Sequence, residues 1–449
     1  MGTGALSIEA LLCVLEQANP SGEFFRGAAE TLDRHLVSTR PAWPKATPRG
    51  PSRPLTIGMA TYNDYDGVYF SVQALRLYHP EITDRSEILV IDNDPLGPCA
   101  AALKSLEDSV PGYRYFPYGS FEGTTVRDLL FREANGEYVL VMDAHVLFAP
   151  GSLGRLLRFL ETQNQAMDLW QGPLLSDDLR VQATHFDPVW SGGMYGRWGL
   201  DARAADVDSP PFEIPMQGLG VFACRKDVWP GFNPRLQGFG GEEGYIHEKV
   251  RRNGGAALCL PFLRWVHRFQ RPAGVPYKPT WADRIRNYLI AFDELQLDCG
   301  PVVEHFENVV GAEAARPMID AALREIAGPW HQFDAKFAIG ADPARCEAMI
   351  GSRVRRIDLP QTPTNPEIGR ILAHRGAIQE AVWQGLHKIL VLEGEPIQGV
   401  VYESEDFDRI LRETPDTPTM VALWLRRQGN FDVFGRSMKP GADQAQAAG

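Results

Sequence analysis

The sequence predicts an α/β protein whose central sheet is mostly parallel. Two observations carry this. From Leu55 onward, short apolar runs alternate with amphipathic stretches, and strands that alternate with helices pair in parallel. Three of the apolar runs also end in polar residues: Thr61-Tyr62-Asn63-Asp64, Asp92-Asn93 and Asp143-Ala144-His145. In a parallel sheet such ends lie along one edge, where ligands bind.

The elements follow in order. LTIGMATYND, from Leu55, is a strand with a polar end, and GVYFSVQALRLYHP is a helix closed by Pro80. EILVIDNDP is a second strand and AALKSLEDSV a second helix. YRYFPYG is a short strand, TTVRDLLFREANG a helix closed by Gly136, and EYVLVMDAH another strand. Ahead of them, residues 1 to about 38 read as a helix with Leu11, Leu12 and Leu15 on one face. Arg40 to Pro54 is rich in proline and basic residues, so it reads as an extended linker.

Residues 170 to 240 are rich in glycine, proline and aromatics and show no clear periodicity. Loops of that length in a compact domain are usually functional or disordered, and the aromatics favour function. Thr280 to about Gln296 is a helix that Thr280 caps, with Asp283 three residues on. Helical texture continues from Val302 to about Phe337, and residues 350 to 430 form a small mixed α/β unit. The expected domains are a helical extension with linker at 1–54, the main domain at 55–300, an accessory domain at 301–440 and a disordered tail at 441–449.

Composition excludes several classes. The 449 residues are 44% hydrophobic and 23% charged, which is ordinary for a soluble globular protein. A net charge of −12 argues against a nucleic-acid partner, because phosphate-backbone affinity needs clustered Lys and Arg. No apolar run approaches the roughly 18 residues of a membrane span. MGTGALSIEALLCVLEQ lacks the basic head of a signal peptide. The six cysteines form no CxxC pair and read as reduced thiols. A cytoplasmic protein is expected, with no integral membrane segment and with a homo-oligomer left open.

Asp143 and His145 stand between the apolar runs Val139–Met142 and Val146–Phe148. An ionised carboxylate buried without a partner is costly. In extended chain, positions i and i+2 face the same way, so a divalent metal would satisfy both side chains. A solvated turn pair is the plain alternative.

The order of motifs resembles a family. LTIGMATYND, EILVIDN and TTVRDLLFREANGEYVLVMDAH look like the opening half of a GT-A glycosyltransferase of the family-2 type. QGLGVFACRKDVWPGFNPRLQGFGGEEGYIHEKVRRNGG, followed by LPFLRWVHRF, is similar to polypeptide N-acetylgalactosaminyltransferases and β-1,4-galactosyltransferases. The resemblance covers about Leu55 to Gln296. It implies a GT-A fold, Rossmann-like with a mostly parallel sheet, and a sugar moved from a nucleotide donor, UDP-linked by preference, to a glycan or peptide acceptor. It also implies site residues. Asp143 and His145 match the DxD or DxH metal motif, and His267 matches the third ligand. Two imidazoles and a carboxylate suit Mn2+ better than Mg2+. Glu242 and Glu243 match the acidic element at a helix start, with Glu243 at the position of the base. Relatives often carry aspartate there, and the plain alternative is acids favoured in a first helical turn.

The same resemblance places Thr61, Tyr62 and Asn63 near the nucleoside, Asp92 at the uracil or ribose, and Arg127 at the diphosphate or base. Asp128 departs from the asparagine expected after that arginine. Gln217 and Gly218 open the small-residue stretch beneath the donor sugar. Trp190, Tyr195 and Trp198 stack on an acceptor or pack the loop. Arg268, Arg271 and Lys278 suggest a closing lid or a plain surface loop. Farther on, GRILAHRGAIQEAVWQGLHKILVLEGEP resembles the helix-strand element of family-25 lipopolysaccharide glycosyltransferases, with Gly394 interrupting the acidic pair Glu393 and Glu395. That implies an accessory role. Family-2 relatives invert, whereas N-acetylgalactosaminyltransferases retain; inversion is favoured. The rivals are a sugar nucleotidyltransferase, which wants a glycine-rich basic loop after its first strand, and a non-catalytic nucleotide-sugar-binding scaffold.

Overall fold

The computed structural model describes residues 53–119, 123–269, 274, 277–350, 352–357, 366–394, 397–414 and 436–438. The expected N-terminal helix, most of the linker, Arg271, Glu395 and the tail lie outside these residues. The described residues fall into two compact units, one running to Ile326 and the other starting at Ala327.

The first unit begins with β1 (Leu55–Thr61), α1 (Tyr65–Tyr78), β2 (Ser86–Asp92), α2 (Ala100–Ser105), β3 (Tyr113–Pro117), α3 (Arg127–Glu133), β4 (Tyr138–Met142) and β5 (Val146–Phe148). Then come α4 (Ser152–Leu160), β6 (Leu169–Gln171), β7 (Leu174–Leu175), β8 (Gln182–Ala183), β9 (His185–Ser191), β10 (Met194–Gly199), β11 (Phe212–Glu213) and β12 (Val221–Arg225). It closes with α5 (Glu243–Arg252), β13 (Ala257–Cys259), β14 (Trp265–His267), α6 (Trp281–Glu294), α7 (Gly300–Val310) and α8 (Ala312–Ala327).

The main sheet has the order β11-β13-β6-β12-β4-β1-β2-β3. Strands β4, β1, β2 and β3 are parallel, and β12 lies antiparallel between β4 and β6. β2 and β4 are buried along their whole length, which is why they read as continuous apolar runs rather than alternating ones. Ile57, Val90 and Leu140 sit in the core beneath α1 and α4. A smaller sheet, β5-β14-β7-β8, pairs His267 with Val146 in register. Helix starts follow local chemistry. The Asp64 side chain accepts from Gly67 N at the head of α1, and Thr280 accepts from Asp283 N at the head of α6.

Three details of the first unit differ from the sequence reading. β4 stops at Met142, so Asp143-Ala144-His145 is a turn between two strands and not extended chain. The aromatic stretch at 170–240 holds β6 to β12, strands mostly too short to show a period. Helical structure ends near Ala327, and Ile285 of α6 clusters with Val302, Phe306 and Ile319 of α7 and α8 in the first unit.

The second unit contains β15 (Ala335–Ile339), α9 (Pro343–Ile350), β16 (Arg355–Ile357), α10 (Pro366–Gln384), β17 (Lys388–Glu393), β18 (Gln398–Glu403), α11 (Ser404–Glu413) and β19 (Arg436–Met438). Its sheet has the order β16-β15-β17-β18-β19, parallel among the first three. Alternate residues feed two separate cores: Ile389 and Val391 pack in one, Leu390 and Leu392 in the other. The α/β texture therefore starts at Ala335, ahead of the expected 350.

Candidate active site

The site forms at the carboxyl end of β4. The backbone N–H of Asp143 donates to Gly220 O at 2.9 Å, which ties the turn to the start of β12. A Cβ at Gly220 would stand 2.9 Å from the Trp265 ring and 3.4 Å from Asp143 Oδ2, so a side chain there would crowd the carboxylate. His145 ends the turn, and His267 arrives from β14 alongside β5.

Ligand atoms of Asp143, His145 and His267 all lie within 4.8 Å of one another. His145 Nε2 and His267 Nε2 are 3.0 Å apart, and His267 Nε2 is 3.4 Å from Asp143 Oδ2. Two imidazole nitrogens that close need a proton or a cation between them. His145 Nδ1–H donates to Asp64 Oδ2 at 3.2 Å, which leaves the Nε2 lone pair facing the cluster. His267 Nδ1 is buried without a hydrogen-bond partner among the described residues. Two nitrogens and one carboxylate oxygen fit a divalent cation.

Arg127 donates to Asp143 Oδ1 at 2.9 Å. Burial pushes the Asp143 carboxyl up, but the Arg127 charge and the His267 hydrogen bond outweigh it, so Asp143 is held well below the usual carboxylate range. Burial likewise opposes the Arg127 charge, and Asp143, Glu242 and Glu243 together keep it firmly protonated. Arg127 thus faces the Asp143–His145–His267 cluster and the acid pair at once.

Backbone bonds bring those two together. Gly123 bridges to Gly238, and Thr124 N–H donates to Gly238 O at 3.1 Å just before α3. From the other side, the Asn287 amide of α6 donates to Gln237 O at 2.7 Å and Gly240 O at 2.9 Å. Gly240 and Gly241 have φ of 101° and 92°, the left-handed region that favours glycine. They turn the chain so that Glu242 and Glu243 open α5. Burial, then the neighbouring Glu242, raise Glu243 to about 8. Glu242 is 3% exposed, and its Oε2 has no hydrogen-bond partner among the described residues. His247 fixes this first turn: its Nδ1–H donates to Glu243 O, and its Nε2 accepts Gln217 N–H at 3.1 Å. Burial holds His247 down to about 4, hence neutral.

Thr61, Tyr62, Asn63 and Asp92, the residues expected at a nucleoside, lie at the ends of β1 and β2. Thr61 Oγ1 is buried without a partner among the described residues. Asn63 has φ of 48° and accepts from the Cys99 thiol at 3.1 Å. Tyr62 meets Tyr277 edge-on at 6.3 Å. Asp92 is 1% exposed, accepts the Tyr115 hydroxyl at 2.7 Å and is raised by burial. The Gln217 amide is fully buried and donates to Gly172 O and Thr184 O at 3.1 and 2.6 Å. Gly218 lies under Phe186 and Trp198.

Other residues take packing roles. Trp190 stacks on His305 at 4.5 Å and meets Tyr195 and Tyr288 at 5.0 Å each, whereas Trp198 stays 39% exposed. Asp128 accepts Trp229 Nε1–H at 2.7 Å and Phe232 N–H at 2.9 Å. Arg268 is joined to Asp64 at 3.2 Å, and Lys278 is exposed. Asp64 is the residue sequence reasoning left out of the site. Its signal was its place in the polar end of β1.

Residues 56–227 match the family described as Glycosyl transferase family 2. The chain is similar to polypeptide N-acetylgalactosaminyltransferase 10 of Rattus norvegicus, 29% identical over 171 residues, covering 32% of this chain and 28% of the relative. The Mus musculus protein of that name aligns equally well. The chain therefore spans under a third of the curated relatives it matches. A crystal structure of GalNAc-T7 with UDP, GalNAc and Mn2+ aligns at 18% identity and TM-score 0.41, over 54% of this chain and 49% of the other. The mannosyltransferase PcManGT from Pyrobaculum calidifontis, in complex with GDP-Man and Mn2+, aligns at 17% identity and TM-score 0.36, over 77% and 91%. The sheet order and the family match bear out the expected GT-A architecture. The match to the glycosyl transferase family 2 model thus runs from the start of β1 to the end of β12.

Proposed function

We propose that the chain transfers a sugar from a nucleotide diphosphate donor, with uridine favoured, to a hydroxyl of a glycan or peptide acceptor. The observation that carries this is the meeting of Asp143, His145 and His267 at one strand end, with Arg127 bonded to Asp143 and facing Glu242 and Glu243.

Asp143, His145 and His267 would hold a divalent cation, Mn2+ favoured over Mg2+ because two of three ligands are imidazoles. When bound, it supplies Lewis-acid stabilisation to the departing diphosphate. Arg127 adds fixed positive charge beside that group. Thr61, Tyr62, Asn63 and Asp92 border the nucleoside, and Gln217 and Gly218 shape the floor beneath the sugar. Glu243 takes the acceptor proton as the hydroxyl oxygen bonds to the anomeric carbon and the bond to the diphosphate oxygen breaks. Burial tunes its carboxyl to about 8, suited to a base near neutral pH. The free Glu242 Oε2 accepts from a substrate hydroxyl. A single direct displacement of this kind, with Glu243 as base, inverts the anomeric centre.

The turn after β1 closes on Asp64, an acid at a helix head. That speaks against a nucleotidyltransferase, which wants a basic glycine-rich loop there. The test is calorimetric titration of UDP, GDP and their sugars, with and without Mn2+, on wild type and His267→Ala. Metal-dependent UDP binding that weakens in the variant is expected. No binding of any nucleotide overturns the proposal. Hydrolysis of donor without acceptor separates an enzyme from a scaffold.

A further inference from the structure

A cavity of about 850 Å³ lies in the first unit against the turn that carries Glu242 and Glu243. Gly241 and Gly244, which flank the two acids, form part of its wall. Tyr288 lines it as well, and the Tyr288 phenol is raised by burial and then by the Glu243 carboxylate. The cavity therefore abuts the turn of the two acids through Gly241, Gly244 and Tyr288, while the acid side chains themselves do not line it.

Its walls are mostly apolar, with charged groups among them. Tyr195, Tyr245, Tyr288 and Phe292 supply rings. Two of the phenols are already engaged: Tyr288 accepts Tyr195 N–H, and Tyr245 donates to Glu294, each at 2.7 Å. The rings thus offer carbon faces and few polar partners. The charged groups at the cavity are Glu213, Glu248, Asp298 and Arg251. Arg251 is bound to Glu248 at 3.4 Å and to the Ile214 and Pro215 carbonyls, so the balance is negative.

This chemistry selects an occupant. Cavities of roughly 300–1,000 Å³ with apolar walls take compact organic molecules. A diphosphate lodged there would be desolvated beside acids with no free cation. A bare sugar could pair its hydroxyls with the carboxylates but would leave the ring faces uncovered, and a peptide backbone would leave amides unpaired against the rings.

We infer that this cavity binds the acceptor, and that the acceptor is a neutral glycoside whose aromatic or alicyclic aglycone fills it. The inference rests on the transferase reading above. It excludes a lipid-linked sugar diphosphate as acceptor.

The test is calorimetric titration with four probes. They are 4-nitrophenyl β-glucoside, methyl β-glucoside, 4-nitrophenyl phosphate and an uncharged threonine peptide bearing an aromatic neighbour. Wild type is compared with Leu297→Glu and Pro188→Glu. Both positions line the cavity and are solvent-exposed, so folding tolerates the change. Saturable binding of the aryl glucoside is expected, at least tenfold weaker in each variant and at least tenfold tighter than for the other probes. Overturning results are no binding of the aryl glucoside, equal binding by wild type and both variants, or tighter binding of the phosphate or the peptide. UDP is titrated into the same wild-type samples. UDP binding without aryl-glucoside binding sinks this inference alone, whereas absent UDP binding sinks the transferase reading.

Discussion

Two strand ends in this molecule use nearly the same side chains to opposite effect. At the end of β4, Asp143 meets Arg127, His145 and His267. At the end of β17, Glu393 meets Arg370 and His374. In the second cluster Arg370 grips both carboxylate oxygens, at 2.6 and 3.0 Å. His374 donates Nε2–H to Glu393 at 3.0 Å and accepts the Tyr402 hydroxyl on Nδ1 at 2.8 Å. The carboxylate and both imidazole nitrogens are engaged, and the network is closed. In the first cluster two imidazole nitrogens face each other and His267 Nδ1 has no partner among the described residues. A strand-end acid with histidine and arginine is therefore not a site in itself. What distinguishes one is lone pairs left over after the protein has satisfied its own groups. This also answers the family-25 resemblance. Glu393, the described half of its acidic pair, is held by Arg370 and His374, which a metal would have to displace.

An open cluster should have a reacting neighbour, and Glu243 is the one to break. Glu243→Gln should lower turnover by roughly 10²–10⁴-fold, the usual worth of a positioned general base, while UDP binding persists. Because Glu243 must lose its proton to act, kcat/KM should climb with pH and level off above about 8. The limb should vanish in the variant. Stability runs the other way. Between the ordinary carboxylate range and about 8 the folded chain holds a proton that the unfolded chain has lost, so Glu243 makes stability fall as pH rises. A wild-type rate profile flat across that window would remove Glu243 as the base.

The comparison sharpens with one histidine from each cluster. His267→Ala should weaken Mn2+ binding by more than about 100-fold, beyond what loss of a supporting contact costs. His374→Ala should leave Mn2+ affinity unchanged and destabilise the second unit by ~1–3 kcal/mol, since Tyr402 and Glu393 lose a buried partner. Manganese titration followed by spin resonance, with thermal unfolding on the same samples, reads both. Equal Mn2+ affinity in wild type and His267→Ala would show the first cluster to be as closed as the second.

A smaller effect is expected at Asp64, which links His145 to Arg268. Asp64→Asn keeps a cap for α1 but removes the charge behind His145, so Mn2+ affinity should drop about tenfold. Unchanged affinity would make Asp64 a helix cap only. This residue also marks where the sequence stopped being legible. Asp143, His145, His267, Arg127 and the acid pair were readable because their motifs come in order along the chain. The parallel core was readable because Val139–Met142 and Ile88–Ile91 are buried on both faces. The Asp64–His145 contact joins residues 81 apart, and no local pattern announces it. Nor does a pattern reveal that Trp190 spends its ring on Tyr288 and His305. The start of the second sheet escaped for the opposite reason: Ala335–Ile339 is five residues with a lysine inside, too short and mixed to stand out.

Asp128 offers the mildest test, because it places a closed acid one residue from the open site. Trp229 Nε1–H and Phe232 N–H each donate to it, and burial raises its carboxyl to about 6. The folded chain therefore holds a proton there that the unfolded chain releases, so Asp128 stabilises least once pH has risen past about 6. Asp128→Asn retains one acceptor oxygen and carries no charge at any pH. It should change stability by no more than about 1 kcal/mol near neutrality, whereas Asp128→Ala strands two donors and should cost about 1–3 kcal/mol. Urea midpoints on either side of pH 6 give the sign: the asparagine variant should gain on wild type as pH rises. Were it instead to lose ground, Asp128 would be an ionised acceptor that the fold needs charged. The arginine beside it would then be balanced by two carboxylates, leaving less positive charge for a diphosphate.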